Sequence, residues 1–75
     1  MGKTHPVRSK LGLNVRRRRE ALDLTQEALA EKADMDQTYI SGIERGLRNP
    51  GIINVAKLAK ALQLTTSELC QGVDL

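Results

Sequence analysis

Two stretches with helical spacing of their apolar residues, Gln26 to about Ala33 and Gln37 to about Arg45, are separated only by Asp34, Met35 and Asp36. A turn of about three residues packs the second helix across the first. The residues at the junction suit that crossing. Ala30 lies where the helices meet and a larger side chain would force them apart, while Ala33 and Met35 seal the turn. Asp34 tolerates the left-handed backbone that ends a helix, and Asp36 is a good N-cap for the next one. Ile40 and Ile43 point the second helix's apolar side at the core, leaving Gln37, Thr38, Ser41 and Arg45 on or near the outer face. Gly46 stops it.

The rest of the chain reads as helices packed around this pair. Ser9 is the expected N-cap of a first helix running to about Leu22, with Leu11, Val15, Arg18 and Leu22 on one stripe. Arg18 is the misfit there; its aliphatic stem is expected along the core edge with the guanidinium in water. Asp23 ends that helix and Thr25 caps the second. The breaker-rich loop from Gly46 to Gly51 leads to a fourth helix, about Ile52 to Leu62, that buries Val55, Leu58, Ala59 and Leu62. Thr65 and Glu68 have the spacing of a capping box, which predicts a short fifth helix through Cys70. The apolar mass comes from Leu, Ile, Val, Ala and Met, with no Phe or Trp, which favours a helical bundle over a sheet. The expected organisation is a flexible basic arm over residues 1–8 and one all-α domain of five helices over residues 9–75.

Charge is unevenly placed. Residues 1–20 hold seven Lys or Arg and one Glu, whereas residues 21–75 hold five cations and eight anions. The basic end is able to contact a polyanion, although a solvated basic tail explains the same charge. A lone cysteine, Cys70, allows no intrachain disulfide and points to a reducing compartment, the cytoplasm. No apolar run approaches the ~20 residues a membrane span needs, and no apolar segment of signal-peptide type follows Lys3. One histidine, one cysteine and no clustered acids leave no general base, nucleophile or metal site, so an enzyme is not expected. No cofactor and no small-molecule effector are implied.

The outward residues of the crossed pair match the chemistry of duplex DNA. Glutamine can donate and accept at an adenine edge, threonine offers a hydroxyl and a methyl to thymine, and arginine binds phosphate or takes guanine through both its donors. Gln26 stands at the start of the second helix, where backbone N–H groups favour a phosphate. Each residue alone is also an ordinary solvated polar side chain. Together on a helix-turn-helix they point to DNA.

The segment from Leu11 to Leu69 resembles the helix-turn-helix family of lambda-type phage repressors and Cro (XRE-type). The resemblance rests on Leu11-Gly12, Val15-Arg16, Arg19, Leu24-Thr25-Gln26, Leu29-Ala30, Tyr39-Ile40-Ser41, Ile43-Glu44-Arg45-Gly46, Pro50 and Leu58-Ala59-Lys60-Ala61-Leu62. Within that family, the run from Thr38 to Asn49 is similar to the controller proteins of restriction-modification systems, which are single-domain dimers. Antitoxins and small prophage repressors, whose main partner is a protein, share much of the pattern.

The resemblance implies a five-helix lambda-repressor-like domain, a homodimer on double-stranded DNA, and a role for each matching residue. Gln37, Thr38, Tyr39 and Ser41 match positions that read bases or nearby backbone. Gln26 matches a phosphate clamp, and Arg45, Arg48 and Asn49 lie where contacts reach phosphates or the groove edge. Arg19 and Glu44 match a salt bridge between the first and third helices. Arg16 and Arg17 are candidates for DNA backbone or for solvent. A dimer interface is expected among Leu64, Leu69, Val73 and Leu75, with the last wall of the monomer core as the alternative for Leu64 and Leu69. Departures are Ala28 for an acidic residue, Asp23 and Asp34 for glycines, Arg18 for an apolar residue, and Gln37 where many controller proteins carry arginine. Gly42 offers no side chain, which shifts discrimination to the helix N-terminus and to DNA shape.

Overall fold

A computed structural model describes residues 5–75; residues 1–4 of the expected arm, Lys3 among them, lie outside the described residues. Among the described residues the chain forms five helices and no strand: α1 (Pro6–Ala21), α2 (Gln26–Ala33), α3 (Gln37–Glu44), α4 (Ile52–Ala61) and α5 (Thr66–Leu69). None of them is long and apolar enough to cross a membrane. α1 packs on α3 and α5, α2 on α3 and α4, and α4 on α5.

The turn chemistry follows the residue types. Asp23 and Asp34 hold left-handed conformations at φ 56° and 57°, and Gly46 does so at φ 75°. Thr25 Oγ1 accepts from the Ala28 N–H at 3.0 Å and Asp36 Oδ1 from the Thr38 N–H at 2.8 Å. At α5 the capping box is complete: Thr65 Oγ1 accepts from the Glu68 N–H at 3.1 Å, and Glu68 Oε1 from the Thr65 N–H at 2.9 Å. Each such cap satisfies a helix-end donor and contributes about 1 kcal/mol.

The start of α1 differs from the expectation. Its cap is His5, whose Nδ1 accepts from the Val7 N–H at 3.2 Å, and not Ser9. Pro6 fits the first turn because its missing N–H would have had no helical partner there. Arg8 then donates from Nε to the Gly46 carbonyl at 3.2 Å, which ties this turn to the end of α3. Ser9 lies inside the helix against Gly46, where a Cβ would meet the Ser9 Oγ at 2.9 Å. Residues 6–8 are therefore part of the folded body and not of an arm.

Leu29, Ile40, Ile43, Leu58, Leu62, Leu69 and Val15 fill the core, with Leu11, Ala30, Ala33, Val55 and Ala59 around them. Burial of each large side chain contributes roughly 1.5–3 kcal/mol. Leu69 is 1% exposed and so closes the monomer core; it cannot present a surface to a second copy. Leu64 and Val73 are half-buried against the same core, whereas Leu75 is fully exposed. Among the described residues, the large apolar side chains most exposed within a helix are instead Ile52 and Ile53, at 71% and 72%, with Leu13 of α1 at 38%.

Two polar side chains of α1 close helix ends elsewhere in the fold. Arg18 does not simply reach water: its Nε donates to the Leu62 carbonyl at 2.9 Å, at the C-terminal end of α4. A cation is favoured there by the exposed carbonyls. Asn14 Nδ2 donates to the carbonyls of Leu69 and Gln71 at 2.8 and 2.9 Å, pinning the end of α5 to α1.

Candidate nucleic-acid interface

α3 is held against the body by one buried carboxylate. Arg19 on α1 donates from Nε to Glu44 Oε2 at 2.6 Å and from Nη2 to Glu44 Oε1 at 3.0 Å. Its third nitrogen, Nη1, donates to the Leu24 carbonyl at 2.8 Å, so the guanidinium also fixes the α1–α2 connection. The Glu44 side chain is 3% exposed and that of Arg19 12%. Hydrogen bonding to Glu44 raises the Arg19 pKa above its ordinary value against an opposing burial effect, with the charges of Glu44 and Glu20 adding to the rise. The ion pair implied by the resemblance thus stands in the fold as a two-point contact, the strong geometry for arginine and carboxylate.

Gln26 joins the same carboxylate. Its Nε2 donates to Glu44 Oε1 at 3.0 Å, so Glu44 accepts from α1 and α2 while belonging to the end of α3. The Gln26 amide nitrogen has a second hydrogen, and α2 begins at this residue with its first N–H groups at the surface end of the helix. The glutamine side chain is therefore oriented by Glu44.

Along α3, Gln37 and Thr38 are exposed and Ser41 is half-exposed, while Ile40 and Ile43 are buried beneath them. These three polar residues share an outward strip at the i, i+1, i+4 spacing. Arg45, Arg48 and Asn49 follow on the exposed surface at the end of the helix and in the loop after it. Tyr39 lies on the flank and not on the strip: it is half-buried, and its hydroxyl accepts from Asn54 Nδ2 of α4 at 3.3 Å. The guanidinium carbon of Arg48 stands 5.9 Å from the centre of its ring, within cation–π range.

Other expected residues are placed apart from this strip. Arg16 pairs with Glu20 one turn along α1 at 3.3 Å in the open, a contact that contributes about 0.3–0.5 kcal/mol at most. Arg17 lines a shallow groove between α1 and α5 with Lys10, Leu64 and Glu68. Among the described residues no group of His, Cys, Asp or Glu is arranged to hold a metal ion. Asn54 was not foreseen as part of the site, because its role depends on α4 approaching Tyr39, and neither residue alone carries that signal.

Comparisons with known proteins agree with this geometry. The family described as Helix-turn-helix matches residues 15–69. The control protein C.MunI of a Mycoplasma species is 42% identical over 57 residues, covering 76% of this chain and 77% of that protein. The crystal structure of the restriction-modification controller protein C.AhdI from Aeromonas hydrophila superposes with a TM-score of 0.81 at 42% identity, over 83% of this chain and 94% of that one. The controller protein C.Esp1396I, solved as a tetramer in complex with its natural 35 base-pair operator, gives a TM-score of 0.81 at 34% identity over 89% and 88% of the two chains. The fold and family expected from the residues are those the comparisons return.

Proposed function

Because this chain belongs to the helix-turn-helix family, we propose that it is a sequence-specific DNA-binding regulator of transcription, of the restriction-modification controller type, acting as a dimer on a pseudo-palindromic operator. The observation that carries the reading is the strip of Gln37, Thr38 and Ser41 on a helix whose orientation is locked through Glu44. A rigidly held helix with short polar side chains outward is what the major groove admits. The relatives bearing the controller name, one of them solved on its operator, support the same assignment.

In this reading Gln37, Thr38 and Ser41 read bases and Tyr39, on the flank, meets the nearby backbone, while Gln26, Arg45, Arg48 and Asn49 hold phosphates or the groove edge, with Arg16 and Arg17 as outlying backbone contacts. One recognition helix covers too few base pairs for specificity, and two placed about 34–36 Å apart read both half-sites. The protein acts by occupying DNA and not by catalysis, and its place is the cytoplasm, where the operator is. The exposed pair Ile52 and Ile53 on α4 is the proposed face for the second copy, with Leu75 beyond the folded core.

The test is selection of duplexes from a random library by the purified chain, followed by gel-shift competition. An enriched duplex is expected to outcompete random DNA, with affinity falling steeply as salt rises. Gln37→Ala changes the preferred base, whereas Arg48→Ala weakens all sequences alike. Equal competition by enriched and random DNA would refute the reading, and tight co-purification with a protein partner in place of DNA would favour an antitoxin.

A further inference from the structure

Arg48 lies across α3 at the one place on that flank where α3 has no side chain. A Cβ built on Gly42 would come within 2.7 Å of the Arg48 Cγ and 3.2 Å of its Nε. One turn earlier on the same flank, the Tyr39 ring lies beneath the guanidinium, 5.9 Å from ring centre to its carbon. That ring is itself steadied from α4 by Asn54, whose amide donates to the hydroxyl at 3.3 Å. An exposed arginine ordinarily samples many rotamers. Here a notch and a ring, the ring itself held by an amide, confine it.

We propose that Gly42 is a positioning residue for DNA binding: the notch left by its missing side chain lays Arg48 along the flank of α3, where the guanidinium meets a phosphate at the groove edge. This rests on the DNA-binding reading above. It also assigns a role to the residue of α3 that offers nothing to the bases itself. The physical contrast with Gly12, where an added Cβ would meet backbone carbonyls of α3, makes it separable from folding. What an added methyl strikes at Gly42 is the stem of a flexible side chain, so Arg48 moves and the backbone does not. Alanine is moreover the better helix former.

Gly42→Ala, Arg48→Ala and the double variant are compared on two probes, the duplex most enriched by the unmodified chain and a random duplex of equal length. Gly42→Ala is expected to weaken both about three- to tenfold and to lower the salt slope by about 0.9, the signature of one lost phosphate contact. Its melting temperature stays equal or rises, and in the Arg48→Ala background it weakens binding no further. Unchanged affinity overturns the proposal, as does an equal loss in the Arg48→Ala background, which would set the new methyl against DNA directly. A fall in melting temperature overturns it too, by making Gly42 a packing residue. If the unmodified chain enriches no duplex, the functional reading falls first and this inference with it.

Discussion

Arg19 and Glu44 grip each other through both carboxylate oxygens, at 2.6 and 3.0 Å, across the contact between α1 and α3. Removing the arginine leaves a carboxylate that is 3% exposed with Gln26 as its remaining side-chain donor. Arg19→Ala is expected to cost about 3–5 kcal/mol, as for other buried pairs broken on one side. A domain of this size is stable by only about 4–11 kcal/mol, so much of the margin goes. Arg19→Lys recovers a minor part, since one ammonium cannot span both oxygens and the Leu24 carbonyl. Urea titration followed by circular dichroism measures both; a loss under 1 kcal/mol for Arg19→Ala would contradict the account.

Gly12 is where α1 comes closest to α3. A Cβ there would strike the backbone carbonyl of Ile43 and come within 2.8 Å of the carbonyl oxygen of Glu44. Neither neighbour is a side chain that can swing away. Gly12→Ala is therefore expected to destabilise by at least about 2 kcal/mol despite alanine's higher helix propensity. Thermal melting decides: a variant as stable as the parent would show that α1 can move off α3 freely.

Glu68 supplies the acid-sensitive element. The hydrogen bond from the Thr65 N–H, then that with the Thr65 side chain, and the positive charge of Arg18 hold its carboxyl below the usual range, outweighing slight desolvation. Its folded pKa lies below the unfolded value of about 4.3. The stability linked to it is thus full above that value and is lost as pH falls through the folded pKa. Glu68→Gln cannot titrate, so its stability deficit relative to the parent is expected to be constant near neutrality and to shrink below about pH 4.3. Denaturation curves from pH 7 to 3 check this, and a gap that stays constant throughout would exclude the carboxylate as the source.

Ile52 and Ile53 stand at 71% and 72% exposure at the start of α4. The pair Ile52→Asp and Ile53→Asp is expected to leave the melting temperature of the dilute protein within about 2 °C while converting a dimer to a monomer, because neither side chain is part of the core. Affinity for the selected duplex falls at least tenfold as the two half-sites uncouple, on the order of 1.4 kcal/mol or more. Sedimentation at several concentrations reads the first effect. An unmodified chain that stays monomeric and binds one copy per duplex would remove the basis for it.

Local chemistry was legible in the sequence wherever one element states its own boundary. Asp34 and Asp36 marked the turn, Thr65 and Glu68 the last helix, and the apolar spacing located Leu29, Ile40, Ile43, Leu58 and Leu62 in the core. What escaped depends on a partner far along the chain. Arg18 looked like a misfit until Leu62 was placed opposite it, and Asn14 gave no hint of the α5 carbonyls it holds. Residues 6–8 read as an arm because a proline near a terminus suits a loose segment as well as a first helical turn. The contact from Arg8 to Gly46 settles which it is. Within the site, the outward strip was visible from spacing alone, whereas the flank formed by Tyr39, Asn54 and Arg48 needed three elements in place.

The convergence of three donors on Glu44 has a thermodynamic consequence. Because α1, α2 and α3 are joined there before DNA is present, the reading helix does not have to be ordered by its target. Association should then show a heat-capacity change set by the contact surface alone, without the larger negative value of a segment that folds as it binds. Calorimetry would register a preorganised partner, whose affinity is not diminished by an entropy of folding.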